Sequence, residues 1–357
     1  MIGTRDWGWP AWLLVALVLA VGLSAVVGAS TGEGAYGTFN PSWDGGSELR
    51  ETIAAVGTEP YVVLAPADYD ALAPADTAIL VVSPTEPYDG RARDRLAAYV
   101  ANGGTLVVAE DFRPHANPLL RAVGAEARVT GAPLRDDLRN TRTPAFPRAT
   151  GVTHERQTAD GDVANVSLTR GVDALALNHP STVAPNGARV LVNSSRVAYV
   201  DRNRNATLDP GERLGRRPVV TSEQVGAGRV VVVSDPSLFI NAMESTADNR
   251  QFVENVAAPH ERVGIDETHT GGRPPLAVAL VRLRRDPLLQ LLVGGVGLGL
   301  VTLANRQVKT GGRRRLHTSG RSRDETEADV TGATAQRVQT ALLRSSAADT
   351  EEPTDDE

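Results

Sequence analysis

Cysteine is absent from the sequence, and lysine occurs once, at Lys309, among 37 basic residues. The missing thiols exclude disulfides, thiolate metal sites and cysteine nucleophiles. Arginine in place of lysine suggests a GC-rich genome and a salt-loving organism. Acidic residues outnumber basic ones and the net charge is −6, so we do not expect nucleic acid as a partner.

Two long apolar runs lie near the two ends of the chain. Residues 11–29 follow a tryptophan-rich leader, and residues 288–304 follow Asp286 and Pro287, a pair that suits a helix start. Each run has about the length needed to cross a bilayer as a helix. The alternative for the first run is a cleaved signal peptide ending near Ala29, and for the second a buried core helix.

Charge on the flanks of these runs predicts an orientation. Residues 305–323 are basic, and the positive-inside rule places such a segment in the cytoplasm. We therefore expect a two-span protein of the cell membrane, in contact with membrane lipid. Its residues 1–10 and its C-terminus are cytoplasmic, and residues 30–285 form an extracytoplasmic domain. Residues 324–357 are acidic and poor in large apolar side chains, which predicts a disordered tail.

Between the runs, short apolar segments alternate with a helical pattern. Residues 61–64, 78–82 and 105–108 are continuous apolar runs, typical of buried strands in a parallel sheet. Residues 89–102 have helical spacing and stop at Gly103 and Gly104. Strand, helix and strand in this order predict a right-handed crossover in a parallel sheet.

The middle of the chain has a different character. Residues from about 130 to 158 show no period, which predicts a long surface loop. Residues from about 160 to 225 carry short strand and hairpin signals, which predict a β-rich insertion before the sheet resumes.

Three segments carry a family resemblance: SPTEPYDGRARDRLAAYVANGGTLVVAEDF (83–112), GRVVVVSDPSLFINAMESTADNRQFVENV (228–256) and IDETHTGG (265–272). Together they resemble a prokaryotic, membrane-anchored family catalogued as domain of unknown function 4350. The resemblance implies an α/β fold that is flavodoxin-like, or class I amidotransferase-like. Its mostly parallel sheet carries the β-rich insertion and is flanked by two transmembrane helices. The resemblance also implies an archaeal source.

Relatives in that family are associated with MoxR-type ATPases, which implies an accessory role in envelope assembly or export with a membrane or MoxR-type partner. Class I amidotransferases place a nucleophilic cysteine on the turn that corresponds to residues 109–112, and this chain has none. It also has no hydrolase elbow and no Walker loop. We expect a non-catalytic binding or scaffold protein. An extracytoplasmic metal-dependent hydrolase or sugar-active enzyme and a transmembrane solute sensor stay open as alternatives.

Acidic and imidazole side chains follow several of the predicted strands. Ligand sites of open α/β sheets lie outside the carboxyl ends of the strands, so we predict that these side chains share one crevice. Such a cluster suits a divalent ion or acid–base chemistry. The alternative is that they are caps and ion-pair partners of the arginines. The residues are Glu110, Asp111, Asp235, Asp266, Glu267 and His269.

The segment DRNRNATLDPGE, residues 201–212, has the spacing of an EF-hand calcium loop, with oxygen ligands at places one, three, five, seven, nine and twelve. Place six is Ala206, where such loops have glycine, and the flanks resemble strands, so an Asn/Asp-rich hairpin turn is the alternative. We predict weak, structural calcium binding, in the roughly 0.1–1 mM class. The predicted ligands are Asp201, Asn203, Asn205, Thr207, Asp209 and Glu212.

Three triplets match the acceptor pattern for N-glycosylation, at Asn165, Asn193 and Asn205. The pattern is common by chance, so unmodified asparagines are the alternative. A sugar on Asn205 competes with calcium for the same loop.

Overall fold

The computed structural model describes residues 13, 16–17, 19–22, 24, 31–32, 34–153, 168–270, 273–296, 298–299 and 302. The chain divides into two compact units, one up to Asp286 and one from Pro287 onward. All of the elements named below belong to the first unit.

The described strands are numbered in chain order. They are β1 (Glu59–Val63), β2 (Thr77–Val82), β3 (Thr105–Ala109), β4 (Arg128–Val129), β5 (Leu134–Arg135), β6 (Arg148–Ala149), β7 (Gly151–Val152), β8 (Leu175–Ala176), β9 (Val183–Ala184), β10 (Arg189–Asn193), β11 (Tyr199–Val200), β12 (Pro218–Val225), β13 (Gly228–Val233) and β14 (Arg262–Asp266).

The described helices are α1 (Ser47–Ala55), α2 (Gly90–Ala101), α3 (Ala116–Ala122), α4 (Asn241–Glu244), α5 (Asn249–Ala257) and α6 (Pro275–Arg285). Short 3₁₀ helices cover Pro66–Ala71, Pro74–Asp76 and Pro236–Phe239. The helix α2 begins where predicted, because the side chain of Asp89 accepts a hydrogen bond from the amide of Ala92 at 2.7 Å. It ends before Gly103, whose φ of 106° is a left-handed conformation that suits glycine.

Eight strands form one mixed sheet in the order β1-β14-β2-β3-β13-β12-β10-β7. The first five are parallel neighbours, and their apolar runs are buried on both faces. One face packs against α1 and α5 and the other against α2 and α3, which gives a three-layer domain with a core on each side of the sheet.

The predicted flavodoxin-like, mostly parallel fold is therefore wrong. The last strand, β14, inserts between β1 and β2, an order that differs from the flavodoxin arrangement. Beyond β13 the sheet turns antiparallel, because β12 and β13 are joined by a tight hairpin, which pairs strands only in that direction. Within residues 160–225, β10 and β12 extend the main sheet.

The segment predicted as a surface loop also contributes to the core. Residues 130–152 contain the short strands β5, β6 and β7, and the side chain of Leu134 is buried. The strand β5 pairs with β11, which fixes this segment beside the loop that starts at Asp201.

The prediction of membrane-spanning helices at residues 11–29 and 288–304 is also wrong. In the described ranges, no helix combines the length and the apolar character needed to cross a membrane. The two-span location, with residues 30–285 extracytoplasmic, rested on these helices and is contradicted by the same finding. Residues 1–10, much of 11–29 and all of 303–357 lie outside the described residues.

We predict that Gly228→Ala destabilises the domain by about 3 kcal/mol. A Cβ at this position would lie 2.1 Å from the carbonyl oxygen of Val100 and 2.4 Å from that of Gly104, so the start of β13 has to move. Urea unfolding measures the change. The control is Gly211→Ala, because a Cβ there meets nothing within 4 Å. Equal unfolding midpoints for the two variants would contradict the close approach of β13 to α2.

Candidate functional site

Three of the predicted crevice residues come together at the carboxyl ends of β3 and β13. Glu110 follows β3 and Asp235 follows β13, and the amide of Glu110 donates to the carbonyl of Val233 at 3.0 Å. Burial raises the pKa of Tyr36, and the nearby charges of Asp111 and Asp235 raise it further. Tyr36, which the sequence did not indicate, therefore lies over this edge of the sheet.

Glu110 is fully buried and holds the turn that follows it. Its Oε1 accepts hydrogen bonds from the amides of Asp111 at 2.8 Å and Arg113 at 3.0 Å. Its Oε2 is buried without a hydrogen-bond partner. Burial raises the pKa of Glu110 to about 8, which means that the carboxyl group is neutral over most of the physiological range.

Asp235 is also fully buried and is satisfied by three donors. Its Oδ1 accepts from the amide and the hydroxyl of Ser237, at 2.8 and 2.5 Å, and its Oδ2 accepts from the amide of Asn178 at 2.6 Å. Burial raises the pKa of Asp235 to about 7, although these bonds oppose the shift. The residue therefore caps the 3₁₀ helix that follows and anchors the segment around Asn178 to the sheet.

Asp266 and His269 belong to a separate cluster after β14. The phenol of Tyr88 donates to Asp266 at 2.5 Å, and that of Tyr69 at 2.9 Å. The Tyr88 and His269 rings are 3.7 Å apart between centroids. Burial lowers the pKa of His269, and the charges that act on it include Asp266, Asp89, Glu86 and Arg273.

Glu267 turns toward the N-terminal part of the domain. It accepts a hydrogen bond from the amide of Thr38 at 2.6 Å and another from the hydroxyl of Thr270. Burial raises the pKa of Glu267. The structure thus brings together Glu110, Asp111 and Asp235, while Asp266, His269 and Glu267 engage other partners.

The loop at residues 201–212 is closed by bonds among its own predicted ligands. The side-chain amides of Asn203 and Asn205 donate to Asp209 Oδ2 at 2.6 and 2.8 Å. The carboxylate of Glu212 accepts from the backbone amides of Arg202 at 2.6 Å and Asp209 at 3.2 Å. Thr207 donates to Asn205 Oδ1 at 2.9 Å.

The first and sixth places of this loop resemble those of a calcium loop most closely. Ala206 has a φ of 66°, the left-handed conformation that glycine adopts at the sixth place. Its amide donates to Asp201 Oδ2 at 2.9 Å. Asp201 is buried and paired with Arg135, whose Nε lies 2.7 Å from Oδ2. Burial opposes its ionisation, but the bonds from Arg135 and Ala206 hold its pKa below the ordinary value.

A pocket that sequence reasoning missed lies between this loop and the turn held by Glu110. Its volume is about 250 Å³. Its apolar lining comes from Phe112, Pro133, Leu134, Ala145 and Pro180, and its polar lining from Arg135, His179 and Arg204. No local motif marks it, because five separate segments of the chain form its walls.

The three buried carboxylates each support a wall of this pocket. Glu110 bonds to the amides on both sides of Phe112, and Asp235 bonds to the amide of Asn178, next to His179. Asp201 holds Arg135 and the loop that carries Arg204. The acidic residues therefore position the pocket walls and lie behind them.

The predicted glycosylation positions differ in exposure. Asn193 is half-buried within β10, where it pairs with Gly151, while Asn205 is exposed and bonded within its loop. Asn165 lies outside the described residues.

The chain was compared with known proteins. The family described as "Domain of unknown function (DUF4350)" matches residues 38–257, more than half of the chain. No curated protein matches.

Solved structures show only distant similarity. The N-terminal domain of mmIFT52 is 16% identical, with a TM-score of 0.37 over 50% of this chain and 74% of that one. A cytoplasmic protein from Salmonella typhimurium LT2 is 14% identical, with a TM-score of 0.35 over 60% of this chain and 86% of its own. The exo-β-1,4-mannosidase Op5Man5 from Opitutaceae bacterium strain TAV5 is 15% identical, with a TM-score of 0.28 over 51% of this chain and 24% of its own. These TM-scores support no inference about function.

We predict that Glu110→Gln reduces the loss of stability as the pH rises. The pKa of Glu110 is raised from 4.5 to about 8 in the folded protein. Between these values the unfolded chain has released a proton that the folded protein retains, so stability falls as the pH rises through this window. Asp235, raised from 3.8 to about 7, acts in the same direction and leaves a residual slope in the variant.

Urea midpoints measured from pH 5 to 8 test this expectation, with the exposed carboxylate variant Glu126→Gln as the control. The control should follow the wild-type slope. An unchanged slope in Glu110→Gln would show that Glu110 is ionised in the folded protein.

Proposed function

The chain belongs to the DUF4350 family, and from this premise we propose that it is a non-catalytic binding and scaffold protein, accessory to a MoxR-type ATPase. The observation that carries the proposal is that three buried carboxylates serve to hold loops in place. Glu110, Asp201 and Asp235 hydrogen-bond to backbone amides or to Arg135 and hold loops in place. An archaeal source is part of the same proposal.

This arrangement favours binding over acid–base chemistry. A general acid or base has to lie within hydrogen-bond reach of a reacting atom, while Asp235 already accepts three hydrogen bonds and has no exposed surface. In the described part of the chain, no group of three His, Asp or Glu side chains is arranged to hold a metal ion. The one observation that favours the rival hydrolase or sugar-active enzyme is Glu110, whose Oε2 has no hydrogen-bond partner and whose pKa is about 8. Its side chain is fully buried and does not line the pocket, so a substrate there does not reach it.

The exposed tryptophan Trp43 is the best candidate for contact with a protein partner. Trp43 is 68% exposed, and its loop is held firmly. The amide of Ala242 donates to the Trp43 carbonyl at 3.0 Å, and Asn241 Nδ2 donates to the Ser42 carbonyl at 2.7 Å. Tryptophan is enriched among residues that dominate protein interfaces, and a preformed loop lowers the entropic cost of binding.

We predict that the wild-type chain co-purifies with a MoxR-type ATPase from mildly lysed native cells and that Trp43→Ala reduces this recovery about tenfold, as loss of an interface tryptophan does. Quantitative mass spectrometry of crosslinked material measures the recovery. The control is Leu138→Ala, because Leu138 is 75% exposed on a different loop. Absence of the ATPase from the wild-type material, or equal losses in both variants, would contradict the proposal.

We also propose that the loop at residues 201–212 binds calcium weakly, in a structural role. What supports this is the spacing of its oxygen ligands together with the left-handed turn at Ala206. Two features weaken binding. Asp201 is paired with Arg135, with which a cation has to compete. The carboxylates of Asp201, Asp209 and Glu212 are not gathered as metal ligands in the described structure, so the loop has to rearrange around the cation.

We predict that calcium binds with a Kd of roughly 0.1–1 mM and raises the melting temperature, and that Asp209→Asn abolishes both effects. Asp209 supplies a carboxylate at place nine, and its hydrogen bonds to Asn203, Asn205 and Glu212 all lie within the loop. Calorimetry and thermal melts measure the two effects, and Asp173→Asn, an exposed position outside the loop, is the control. If calorimetry shows no heat of binding at millimolar calcium and a chelator leaves the melting temperature unchanged, the loop does not bind calcium.

A further inference from the structure

The pocket beside the turn after β3 combines an apolar interior with cationic walls. Phe112, Pro133, Leu134 and Pro180 supply apolar surface, and no carboxylate lines the space. Its volume of about 250 Å³ is below the roughly 300–1,000 Å³ typical of pockets for drug-sized ligands. This volume suits a small molecule of about one ring.

Arg204 has no ion-pair partner among the residues that the structure describes. Its guanidinium carbon lies 5.6 Å from the centroid of the Phe112 ring, and Nη2 donates to the carbonyl of Gly131 at 3.1 Å. The charge of Arg135, the other arginine of the pocket, is balanced by Asp201. The pocket therefore presents one positive charge without an ion-pair partner in the described part of the chain, and this charge is held in place by a ring and a carbonyl.

His179 adds a second sign that this pocket is built for a ligand. Its φ of 52° is a left-handed conformation that costs a non-glycine residue about 1 kcal/mol or more, and such residues concentrate at ligand sites. Its Nδ1 is shared with Asn178 Oδ1 at 2.8 Å, and its ring packs edge-on against Phe146, with centroids 5.0 Å apart. The strain persists because Asp235 fixes the neighbouring amide of Asn178.

We propose that this pocket binds a small organic anion, a carboxylate joined to an apolar or aromatic body. The body fills the space between Phe112, Leu134 and Pro180, and the carboxylate pairs with Arg204. A guanidinium prefers a carboxylate because the two match in charge and in planar geometry. This inference goes beyond the scaffold role and does not depend on the identity of the protein partner.

Three probes of equal size and different charge test the proposal on the full-length protein: benzoate, benzamide and benzylamine. Titrations followed by calorimetry and by chemical shifts are expected to show benzoate binding at least about tenfold more tightly than benzamide, with no binding of benzylamine. Arg204→Gln should weaken benzoate by a similar factor and leave benzamide unchanged. Arg202→Gln removes an equal charge from the same exposed loop without lining the pocket, so it should behave as wild type.

The contrary results are equally distinct. Equal affinities for benzoate and benzamide would contradict the proposal that the ligand is an anion, although the pocket would still bind apolar molecules. No binding of any probe at millimolar concentration would overturn the pocket as a ligand site. If Arg202→Gln and Arg204→Gln weakened benzoate binding equally, the preference for benzoate would come from the overall positive charge of the loop and not from Arg204 in the pocket. The scaffold proposal is tested separately, by recovery of the ATPase partner, so none of these outcomes decides it.

Discussion

The parallel ladder between β3 and β13 is the constraint on which the rest of the structure depends. It pairs Thr105 through Ala109 with Arg229 through Val233, residues far apart in the chain, and every apolar side chain in it is buried. Such pairing is stable only when both faces are covered, which the two helix layers provide. On one side of this ladder the sheet is parallel, and on the other the β12 hairpin makes it antiparallel.

The same ladder determines where the polar groups go. Since β3 and β13 run in the same direction, Glu110 and Asp235 leave the sheet side by side. An unpaired buried carboxylate is costly, so each group accepts hydrogen bonds from the turn beside it or stays protonated. Those bonds fix Phe112 and the segment at His179, and Asp201 fixes Arg135 opposite them. The consequence is a pocket with an apolar interior and, in Arg204, a guanidinium that has no ion-pair partner among the described residues.

Local features of this fold could be predicted from the sequence, and long-range ones could not. Continuous apolar runs marked β2 and β3, and Asp89 with the Gly103 stop marked α2, because each signal acts over a few residues. The insertion of β14 between β1 and β2 could not be predicted from the sequence, since an apolar run does not specify the strand with which it pairs. Hydropathy in residues 11–29 and 288–304 suggested spans, whereas the described ranges hold no helix that is both long and apolar enough to cross a membrane. The alternative that the acidic residues are caps describes Asp235, which caps the 3₁₀ helix Pro236–Phe239. The pocket could not be predicted, because its walls come from segments too far apart in the chain for any motif.

Hydrogen exchange of the native protein tests the central claim most directly. If the β3–β13 ladder holds the domain together, the amides of residues 106–109 and 230–233 exchange slowest and at one common rate, set by global unfolding. The account is contradicted if residues 230–233 exchange early together with β12 as a detached hairpin while residues 106–109 stay protected.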